Sequence, residues 1–449
     1  MSSRISRRIF MGRSAVAAAA ISAAPAILRA QNVGDKLNVA AIGCGGKGSS
    51  DIEGVVKTGQ NIVALCDVDD NTLGKSAEKY SGAKTYNDFR KMLEMQKDID
   101  AVTISTPDHM HAPAAMMAIK MGKHVYVQKP LTHTIEEARK LTEAAKKYKV
   151  ATIMGNQGHS GEGWRVLCEY IWSGAIGDVT EVHCWTNRPI WPQGVERPQG
   201  KDDIPKNLHW DLWLGAAPDR PYKSKHEVNG KQSDVYQPFA WRGWWDFGTG
   251  ALGDMGCHIM DGPFWALKLG RPTKVELVAS TELKKESAPK GAILRYHFPE
   301  REGMPPVTLT WHDGGMLPKR PMELEAGRKM AEGDNGSLYI GSKGKMMAGT
   351  YGGGVRIIPE EQHKNTPKPP QSIPRPKGHY EEWIEACKGG RPASGNFDYA
   401  GPFTEVVLLG NLALRTGQDV DWDGENMKVT NNPDANNFVR KEYRKGWEV

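Results

Sequence analysis

The sequence predicts an α/β protein of two domains: a parallel sheet with helices on both faces, then an α+β domain built on an open, mostly antiparallel sheet. A chain of 449 residues is too long for one ordinary hydrophobic core. Its first part alternates short apolar runs with amphipathic stretches, which is typical of strands joined by helices. Its later segments alternate apolar with polar residues, which is typical of half-buried antiparallel strands.

Residues 1–30 are predicted to be a signal peptide rather than part of the fold. Arg7 and Arg8 belong to a twin-arginine export pattern, and the apolar run at 15–27 is too short for an ordinary membrane helix. We therefore expect export to the periplasm or the cell exterior, with no membrane attachment after cleavage behind Ala26 or Ala30. An uncleaved anchor is the alternative interpretation.

The charge and the cysteines exclude two classes of partner. The net charge of +6 includes five arginines in residues 1–30, so removing that segment leaves a mature chain near +1. The apparent basicity is thus no argument for a nucleic-acid partner, and none is expected. The six cysteines show no metal-ligand spacing, and we predict no metal site.

The first domain begins with an apolar run, LNVAAI at 37–42, that leads into a glycine-rich turn. Gly43, Gly45 and Gly48 have the spacing G-x-G-x-x-G. The first allows a tight turn, the second lets backbone approach a pyrophosphate, and the third lets the next helix pack closely. Phosphates would bind at that helix N-terminus. The pattern predicts a Rossmann dinucleotide-binding domain over 34–155; a glycine-rich turn without a nucleotide is the alternative.

A second apolar run, at 62–66, ends in Asp67, which lies 19 residues after Gly48. This is close to the position of an acid that binds the adenosine ribose. A carboxylate accepts hydrogen bonds from ribose hydroxyls but repels a 2′-phosphate. The predicted cofactor is therefore NAD rather than NADP.

The other elements of the first domain alternate in the same way. In chain order we expect a helix from Asn71 to about Tyr80, a strand at 84–86, a helix capped by Asn87 and ending at Met95, a strand at 101–105, a helix at 112–121, a strand at 124–128, a helix from a capping box at 134–137 to Tyr148, and a strand at 151–154. Such alternation implies a parallel sheet, which binds ligands beyond its carboxyl strand ends. Gly43, Asp67, Thr106 and Lys129 all fall at those ends.

The composition shifts at residue 156, because ten of the 14 tryptophans lie between 164 and 265. Antiparallel strands are expected at 179–185, 274–281, 292–298 and 307–311, with a hairpin-like pair within 335–347 and a helix at 403–415. We assign 156–449 to a domain for substrate binding and self-association, and the open sheet favours a dimer or tetramer.

The stretch 241–265 carries the chemistry of the second domain. A helix over 252–265 would place Asp254, His258 and Asp261 on one face. A histidine beside a carboxylate is suited to accept a proton near neutral pH. The alternative is a helix-capping aspartate with a histidine satisfied in the core.

These motifs resemble the glucose–fructose oxidoreductase, inositol dehydrogenase and rhizopine-catabolism (Gfo/Idh/MocA) family. The resemblance rests on the glycine turn, Asp67, TPDHMH at 106–111, GKHV at 122–125, QKP at 128–130 and Asp-x-x-x-His at 254–258. The family usually has Glu-Lys-Pro at the QKP motif, so Gln128 replaces its glutamate here.

The resemblance implies NAD-dependent oxidation or reduction of a secondary hydroxyl on a sugar or glycoside. It places three residues at the reaction: His258 as the base for the hydroxyl proton, Lys129 to polarise or relay, and Asp254 to orient the sugar. A glycoside hydrolase that oxidises the sugar transiently and a non-catalytic binder of sugar or nucleotide are the alternatives. The retained lysine favours net redox chemistry.

The turn and the resemblance together define the remaining site predictions. The predicted cofactor-binding residues are Gly43, Gly45, Gly46, Lys47, Gly48, Asp67, Thr106, Pro107, His111, Gln128, Lys129 and Asn156. The predicted substrate-binding residues are Trp241, Arg242, Trp244, Trp245 and Asp254. Most tryptophans are expected in the core, while one beside Arg242 would offer a flat face to a sugar ring. His109 and His111 have no further metal ligand spaced near them.

Overall fold

The computed structural model describes residues 36–449 and consists of two large sheets with helices packed on them. The predicted signal peptide at 1–30 lies outside the described residues. Within 36–449, no helix combines the length and the apolar character that crossing a membrane requires.

The first domain is built on a six-stranded parallel sheet with the order β3-β2-β1-β4-β5-β6. Its strands are β1 (Asn38–Ile42), β2 (Asn61–Cys66), β3 (Lys84–Tyr86), β4 (Ala101–Ile104), β5 (His124–Val127) and β6 (Thr152–Met154). Its helices are α1 (Lys47–Lys57), α2 (Asp70–Lys79), α3 (Phe89–Met95), α4 (His111–Lys120) and α5 (Ile135–Tyr148). The strand order reverses at β1, so a crevice opens at its carboxyl end. The predicted Rossmann domain is confirmed.

Two helices of this domain begin at caps that differ from the predicted ones. Asp69, not Asn71, accepts the capping hydrogen bond of α2. Asp88, not Asn87, caps α3. Asn87 is one residue too early because its amide donates instead to the carbonyl of Asp67 at the end of β2. Aspartate and asparagine cap helices equally well, so tertiary contacts decided between them.

The second domain is built on a nine-stranded mixed sheet with the order β15-β14-β13-β7-β12-β11-β10-β16-β17. Its strands are β7 (Val179–Trp185), β10 (Lys274–Ser280), β11 (Ala292–Phe298), β12 (Val307–His312), β13 (Gly336–Gly341), β14 (Gly344–Ala348), β15 (Arg356–Ile358), β16 (Val420–Asp423) and β17 (Lys428–Val429). Only β7 and β12 pair in parallel, so the expected mostly antiparallel sheet is confirmed. A separate ribbon joins β8 (Lys225–Val228) to β9 (Lys231–Asp234).

Helices cover one face of this sheet. The helices of the second domain are α6 (Glu162–Trp172), α7 (Trp210–Leu214), α8 (Gly250–Ile259), α9 (Asp261–Ala266), α10 (Glu360–Asn365), α11 (His379–Cys387) and α12 (Phe397–Thr416), of which α6, α8, α9 and α12 share the main core with the sheet. Along β11, Leu294 and Tyr296 are buried towards these helices, whereas Arg295 and His297 point the other way. Self-association through that polar outer face stays a prediction.

The C-terminal part of the chain returns to the first domain. Trp383 of α11 is fully buried in one cluster with Val39 of β1 and Tyr126 of β5. On the other side, Arg139 of α5 forms an ion pair of 2.8 Å with the buried Glu405 of α12. The two sheets are therefore held together by helices that lie late in the sequence, while the limits 34–155 and 156–449 stay a prediction.

Candidate active site

The glycine turn leaves no room for side chains at two of its positions. A Cβ on Gly43, whose φ is +86°, would lie 2.5 Å from the carbonyl oxygen of Ser105. A Cβ on Gly48 would lie 2.1 Å from the carbonyl oxygen of Gly43. No side chain caps the N-terminus of α1, which follows Gly46. The N–H of Gly48 donates to the carbonyl oxygen of Gly45 at 2.9 Å, whereas no side chain takes the other first N–H groups of α1, which can bind a phosphate at the predicted place.

Asp67 fixes the end of β2 to this turn. Its carboxylate accepts hydrogen bonds from the backbone N–H of Cys44 (2.8 Å) and of Asp69 (3.0 Å). Burial raises the pKa of Asp67, and these two N–H groups oppose that shift. The carboxylate therefore lies beside the turn, at the end of a neighbouring parallel strand, where a ribose acceptor is expected.

Replacing Asp67 by alanine is expected to weaken NADH binding by about tenfold or more and to narrow the preference for NADH over NADPH. The variant loses an acceptor for the ribose hydroxyls and the charge that repels a 2′-phosphate. Fluorescence titration with each nucleotide measures both effects. Asp70→Ala is the matched control, because that exposed carboxylate lies three residues further on. An unchanged preference in Asp67→Ala would contradict the assignment.

A buried carboxylate that the sequence analysis did not single out lies behind the turn. Asp51 of α1 accepts hydrogen bonds from Lys47 Nζ (2.6 Å) and the hydroxyl of Tyr380 (2.7 Å). It also accepts from Ser105 Oγ (2.7 Å) and Gln128 Nε2 (2.8 Å). The amide at position 128 is thus a donor to Asp51, where a glutamate would set two carboxylates against each other. The same carboxylate holds the Lys47 ammonium at the glycine turn.

His111 links the segments that follow β4 and β5. Its ring nitrogens lie 2.8 Å from the carbonyl oxygen of Pro130 and 3.0 Å from that of Thr106. Burial lowers the pKa of His111 to about 4, so the ring is neutral and one nitrogen donates. Because this side chain is fully buried, it braces the site; Thr106 and Pro107 are half-buried beside it.

Three charged side chains meet at the carboxyl end of β5. Lys129 Nζ donates to the carbonyl oxygen and to Oδ1 of Asp254, both at 2.8 Å. Arg242 Nε donates to the same Oδ1 at 3.1 Å. Burial opposes ionisation of Asp254, but the charges of Lys129 and Arg242 outweigh it and hold the pKa of the carboxyl well below its usual range. The site thus carries a fixed carboxylate between two cations.

His258 lies one helical turn after Asp254 on α8 and is 7% exposed. Among residues 36–449 its buried Nδ1 has no hydrogen-bond partner. Burial, followed by the charge of Lys129, lowers the pKa of His258 to about 3. The sequence pattern predicts a group that titrates near neutral pH, whereas the lowered pKa keeps this imidazole neutral at that pH, which is the form that accepts a proton.

Asp261 does not join these residues, contrary to the prediction of one helix over 252–265. Pro263 has no N–H for the carbonyl of Ile259, and its ring would clash there, so α8 ends at Ile259 and α9 begins anew. The Asp261 carboxylate faces the interior, 3.0 Å from His159 Nδ1. It also accepts from Nδ2 of Asn156, which is buried, so Asn156 has no side-chain surface for a cofactor in this structure.

The predicted tryptophan surface is not formed. Trp244 is 0% exposed, with its indole N–H donating to a backbone carbonyl, and Trp245 is also buried, so neither offers a ring face. Trp241 is buried beneath the Arg242 guanidinium, 4.3 Å from its ring centroid. These rings pack into aromatic and apolar cores instead. The ring exposed at this end is that of Phe239, at 43%, which the same guanidinium covers on one side.

The carboxyl of Asp108 is also buried, and it lies near the charged side chains of Lys129, Arg242 and Asp254. It accepts a hydrogen bond from Thr249 Oγ1 at 2.7 Å. Burial raises the pKa of Asp108 to about 7, although the charges of Lys129 and Arg242 oppose the shift. The folded protein therefore holds a proton here that the unfolded chain, with an ordinary pKa of about 3.9, has already lost at pH 5.

Asp108→Asn is expected to gain stability relative to the unmodified protein as the pH rises from 5 to 8. The folded carboxyl binds a proton that the unfolded chain does not, so its contribution to stability falls until the pH exceeds about 7. The amide keeps the acceptor for Thr249 and does not titrate. Thermal unfolding at both pH values measures the difference, which between pH 5 and 8 amounts to about 2.7 kcal/mol at most. The exposed Asp203→Asn should show none, and a pH-independent difference for Asp108→Asn would contradict the raised pKa.

Two sequence models of one family match the chain. Residues 37–156 match the model described as "Oxidoreductase family, NAD-binding Rossmann fold", and residues 178–449 match "Oxidoreductase family, C-terminal alpha/beta domain". The first domain is therefore an NAD-binding Rossmann domain.

Curated relatives match about a third of the chain or less. Inositol 2-dehydrogenase of Salmonella typhimurium is 30% identical over 151 residues, which is 33% of this chain and 45% of that protein. Levoglucosan dehydrogenase of Pseudarthrobacter phenanthrenivorans is 28% identical over 123 residues, 26% of this chain and 31% of that protein. The matched part thus spans less than half the length of these relatives.

Solved structures share the fold over most of the chain. The WlbA dehydrogenase of Bordetella pertussis, in complex with NADH and UDP-GlcNAcA, has a TM-score of 0.58 at 16% identity over 86% of this chain and 99% of its own. A levoglucosan dehydrogenase with NADH and L-sorbose has a TM-score of 0.55 at 17% identity over the same shares. Both likenesses concern the fold alone. With both of its domains matched by models of one family, the chain belongs to the Gfo/Idh/MocA oxidoreductases.

Proposed function

We propose that the protein is an NAD-dependent oxidoreductase that acts on a secondary hydroxyl of a sugar or glycoside. The observation that carries the proposal is the group of Lys129, Asp254 and His258 at the carboxyl end of a parallel strand, in an NAD-binding family. Relatives named as inositol and levoglucosan dehydrogenases support the substrate class.

The residues around the turn fit a dinucleotide. The N-terminus of α1 has no side-chain cap, and Lys47 holds a positive charge beside it, so a diphosphate would be bound by N–H groups and an ammonium. Asp67 lies at the next strand end for the ribose hydroxyls. The Cβ positions forbidden at Gly43 and Gly48 keep backbone, rather than side chains, at the phosphates.

Three residues of the chain have separate roles in binding the substrate and moving its proton. Bound NAD⁺ supplies the acceptor for a hydride from the carbon that carries the hydroxyl. Lys129 has three N–H donors and gives two hydrogen bonds to Asp254, so the third can stabilise charge that develops on the substrate oxygen. His258, being neutral, accepts the hydroxyl proton. Asp254 Oδ2 has no partner within 36–449 and can accept a hydrogen bond from a second hydroxyl.

A substrate panel tests the proposal. The purified protein with NAD⁺ is mixed with myo-inositol, levoglucosan, D-glucose and p-nitrophenyl glycosides, while NADH absorbance, ketone products and free p-nitrophenol are followed. A keto-sugar formed together with NADH is the expected result. Release of p-nitrophenol with no net NADH would favour the transient-redox glycoside hydrolase, and binding of a sugar without any turnover would favour a binding protein.

We further infer that the protein is exported folded, with NAD bound, because the twin-arginine pattern at Arg7 and Arg8 directs proteins that fold before they cross. Acid denaturation of the purified mature protein should release NAD in near-stoichiometric amount, measured by mass spectrometry. Mature protein purified from the cell exterior without nucleotide would contradict the inference.

A further inference from the structure

An exposed tyrosine that no motif predicts lies against the proposed base. Tyr351 belongs to the loop 349–355 between β14 and β15. Its ring meets the His258 ring edge to face, with 5.0 Å between centroids and 73° between planes. The tyrosine is 53% exposed although it touches a nearly buried residue, so its remaining surface is free beside the reaction centre.

Hydrogen bonds fix the backbone of this loop. The N–H of Gly349 donates to the carbonyl of Gly353 at 2.7 Å, and the N–H of Gly352 donates back to the carbonyl of Gly349 at 3.0 Å. Thr350 Oγ1 donates to the Glu332 carboxylate at 2.6 Å. Hydrogen bonds thus hold the backbone both before and after Tyr351, and the position of its ring is defined by this turn.

The loop is docked on the segment that leaves the parallel sheet. A Cβ on Gly163 would lie 2.1 Å from the carbonyl oxygen of Gly352, and a Cβ on Gly158 would lie 3.1 Å from Cβ of Tyr351. Both glycines lie between β6 and the first turn of α6. Their lack of side chains lets the loop place Tyr351 against the segment that follows β6, where its ring contacts His258.

We propose that Tyr351 positions His258 for the reaction, with its ring fixing and shielding the imidazole on one side and its exposed face and hydroxyl holding the substrate. The substrate class is a ring sugar or cyclitol, whose C–H face packs on an aromatic ring while a hydroxyl bonds the phenol. The inference rests on the proposed sugar oxidoreductase function.

The charged groups that face His258 determine how its pKa would change if the Tyr351 ring were removed. Lys129 at the end of β5 and Lys47 at the start of α1 disfavour protonation of the imidazole, whereas Asp254 on the same helix favours it. The Tyr351 ring adds no charge but excludes water. Removing it admits water, which raises the pKa of His258 from about 3 towards the ordinary 6.5 or so. The acid side of the kcat/KM profile should then move to higher pH.

Two variants separate the ring from its hydroxyl. Tyr351→Phe is expected to raise KM for the sugar about 5- to 10-fold with kcat nearly unchanged, because it loses one hydrogen bond. Tyr351→Ala is expected to lower kcat/KM about 100-fold and to move its acid limb upwards. NADH affinity should stay within about twofold in both, which also shows that each variant folds.

NMR of the NAD⁺-bound protein with ¹³C-labelled histidine gives a readout that needs no turnover, with His258→Asn to assign the signal. We expect the pKa of His258 to rise by more than about one unit in Tyr351→Ala and to stay unchanged in Tyr351→Phe. If the unmodified protein oxidises no sugar of the panel, the proposed function fails, yet the NMR result still decides on Tyr351. An unchanged His258 titration and an unchanged KM would each overturn this inference. Gly158→Ala, which crowds Tyr351, is a second variant expected to shift the titration in the same direction.

Discussion

Replacing Lys129 by alanine is expected to lower kcat/KM for the sugar by about 10²- to 10⁴-fold. The ammonium is held by two hydrogen bonds to Asp254, so it is already oriented before the substrate binds. Its removal takes away the donor for the substrate oxygen and leaves Asp254 paired with Arg242 alone. Steady-state kinetics on the best substrate of the panel measure the loss.

The pH profile of this variant provides an internal check. The charge of Lys129 is one cause of the low pKa of His258, so its loss should move the acid limb of kcat/KM to higher pH. Lys129→Arg keeps the charge and should lose less activity, and Lys140→Ala on α5, whose side chain is 41% exposed, should lose none. Activity retained within about threefold in Lys129→Ala would remove this lysine from the reaction.

Gly48→Ala is expected to have the second largest effect, a loss of NADH affinity of about 100-fold together with a lower melting temperature. The added Cβ would lie 2.1 Å from the backbone carbonyl of Gly43, and backbone on both sides cannot yield as a flexible side chain would. Overpacking of this kind costs about 1–3 kcal/mol and displaces the N-terminus of α1 from the phosphates. NADH titration measures the loss of affinity, and thermal unfolding measures the change in melting temperature.

Gly74→Ala is the matched control for this substitution. Gly74 lies within α2, and a Cβ there would meet nothing within 4 Å. The exchange should therefore leave NADH binding unchanged and stabilise the helix by up to about 1 kcal/mol. If Gly48→Ala bound NADH as well as Gly74→Ala does, the close helix packing would not be what positions the phosphates.

The sequence predicts those parts of the site that depend on local signals. The glycine spacing, the aspartate at a strand end and the alternation of strands with helices all lie within short windows, and the structure has the corresponding elements. The pairing of Lys129 with Asp254, 125 residues later, was accessible only through the resemblance to a family. Pro263, by contrast, is a local signal that splits the predicted helix and turns Asp261 away.

The roles of other residues could not be predicted from the sequence, because only long-range packing defines them. In the sequence, Asp51 resembles an ordinary polar position of an amphipathic helix. Its role becomes visible only through the hydrogen bond from Tyr380, which lies far away in the sequence. Tyr351 sits in a glycine-rich loop whose partner glycines lie about 190 residues earlier. The tryptophans near Arg242 carry no pattern that separates a ligand platform from a packed core, and the core is where they lie.

The return of α11 to the parallel sheet bears on how the chain matures during synthesis. Trp383 completes the packing around β1 and β5, and Tyr380 completes the bonds to Asp51 beneath the nucleotide turn. When the chain has been synthesised only as far as β6, α11 is still missing, so the face of the parallel sheet that it covers remains exposed. We therefore expect nucleotide binding in its final form to require synthesis of nearly the entire polypeptide.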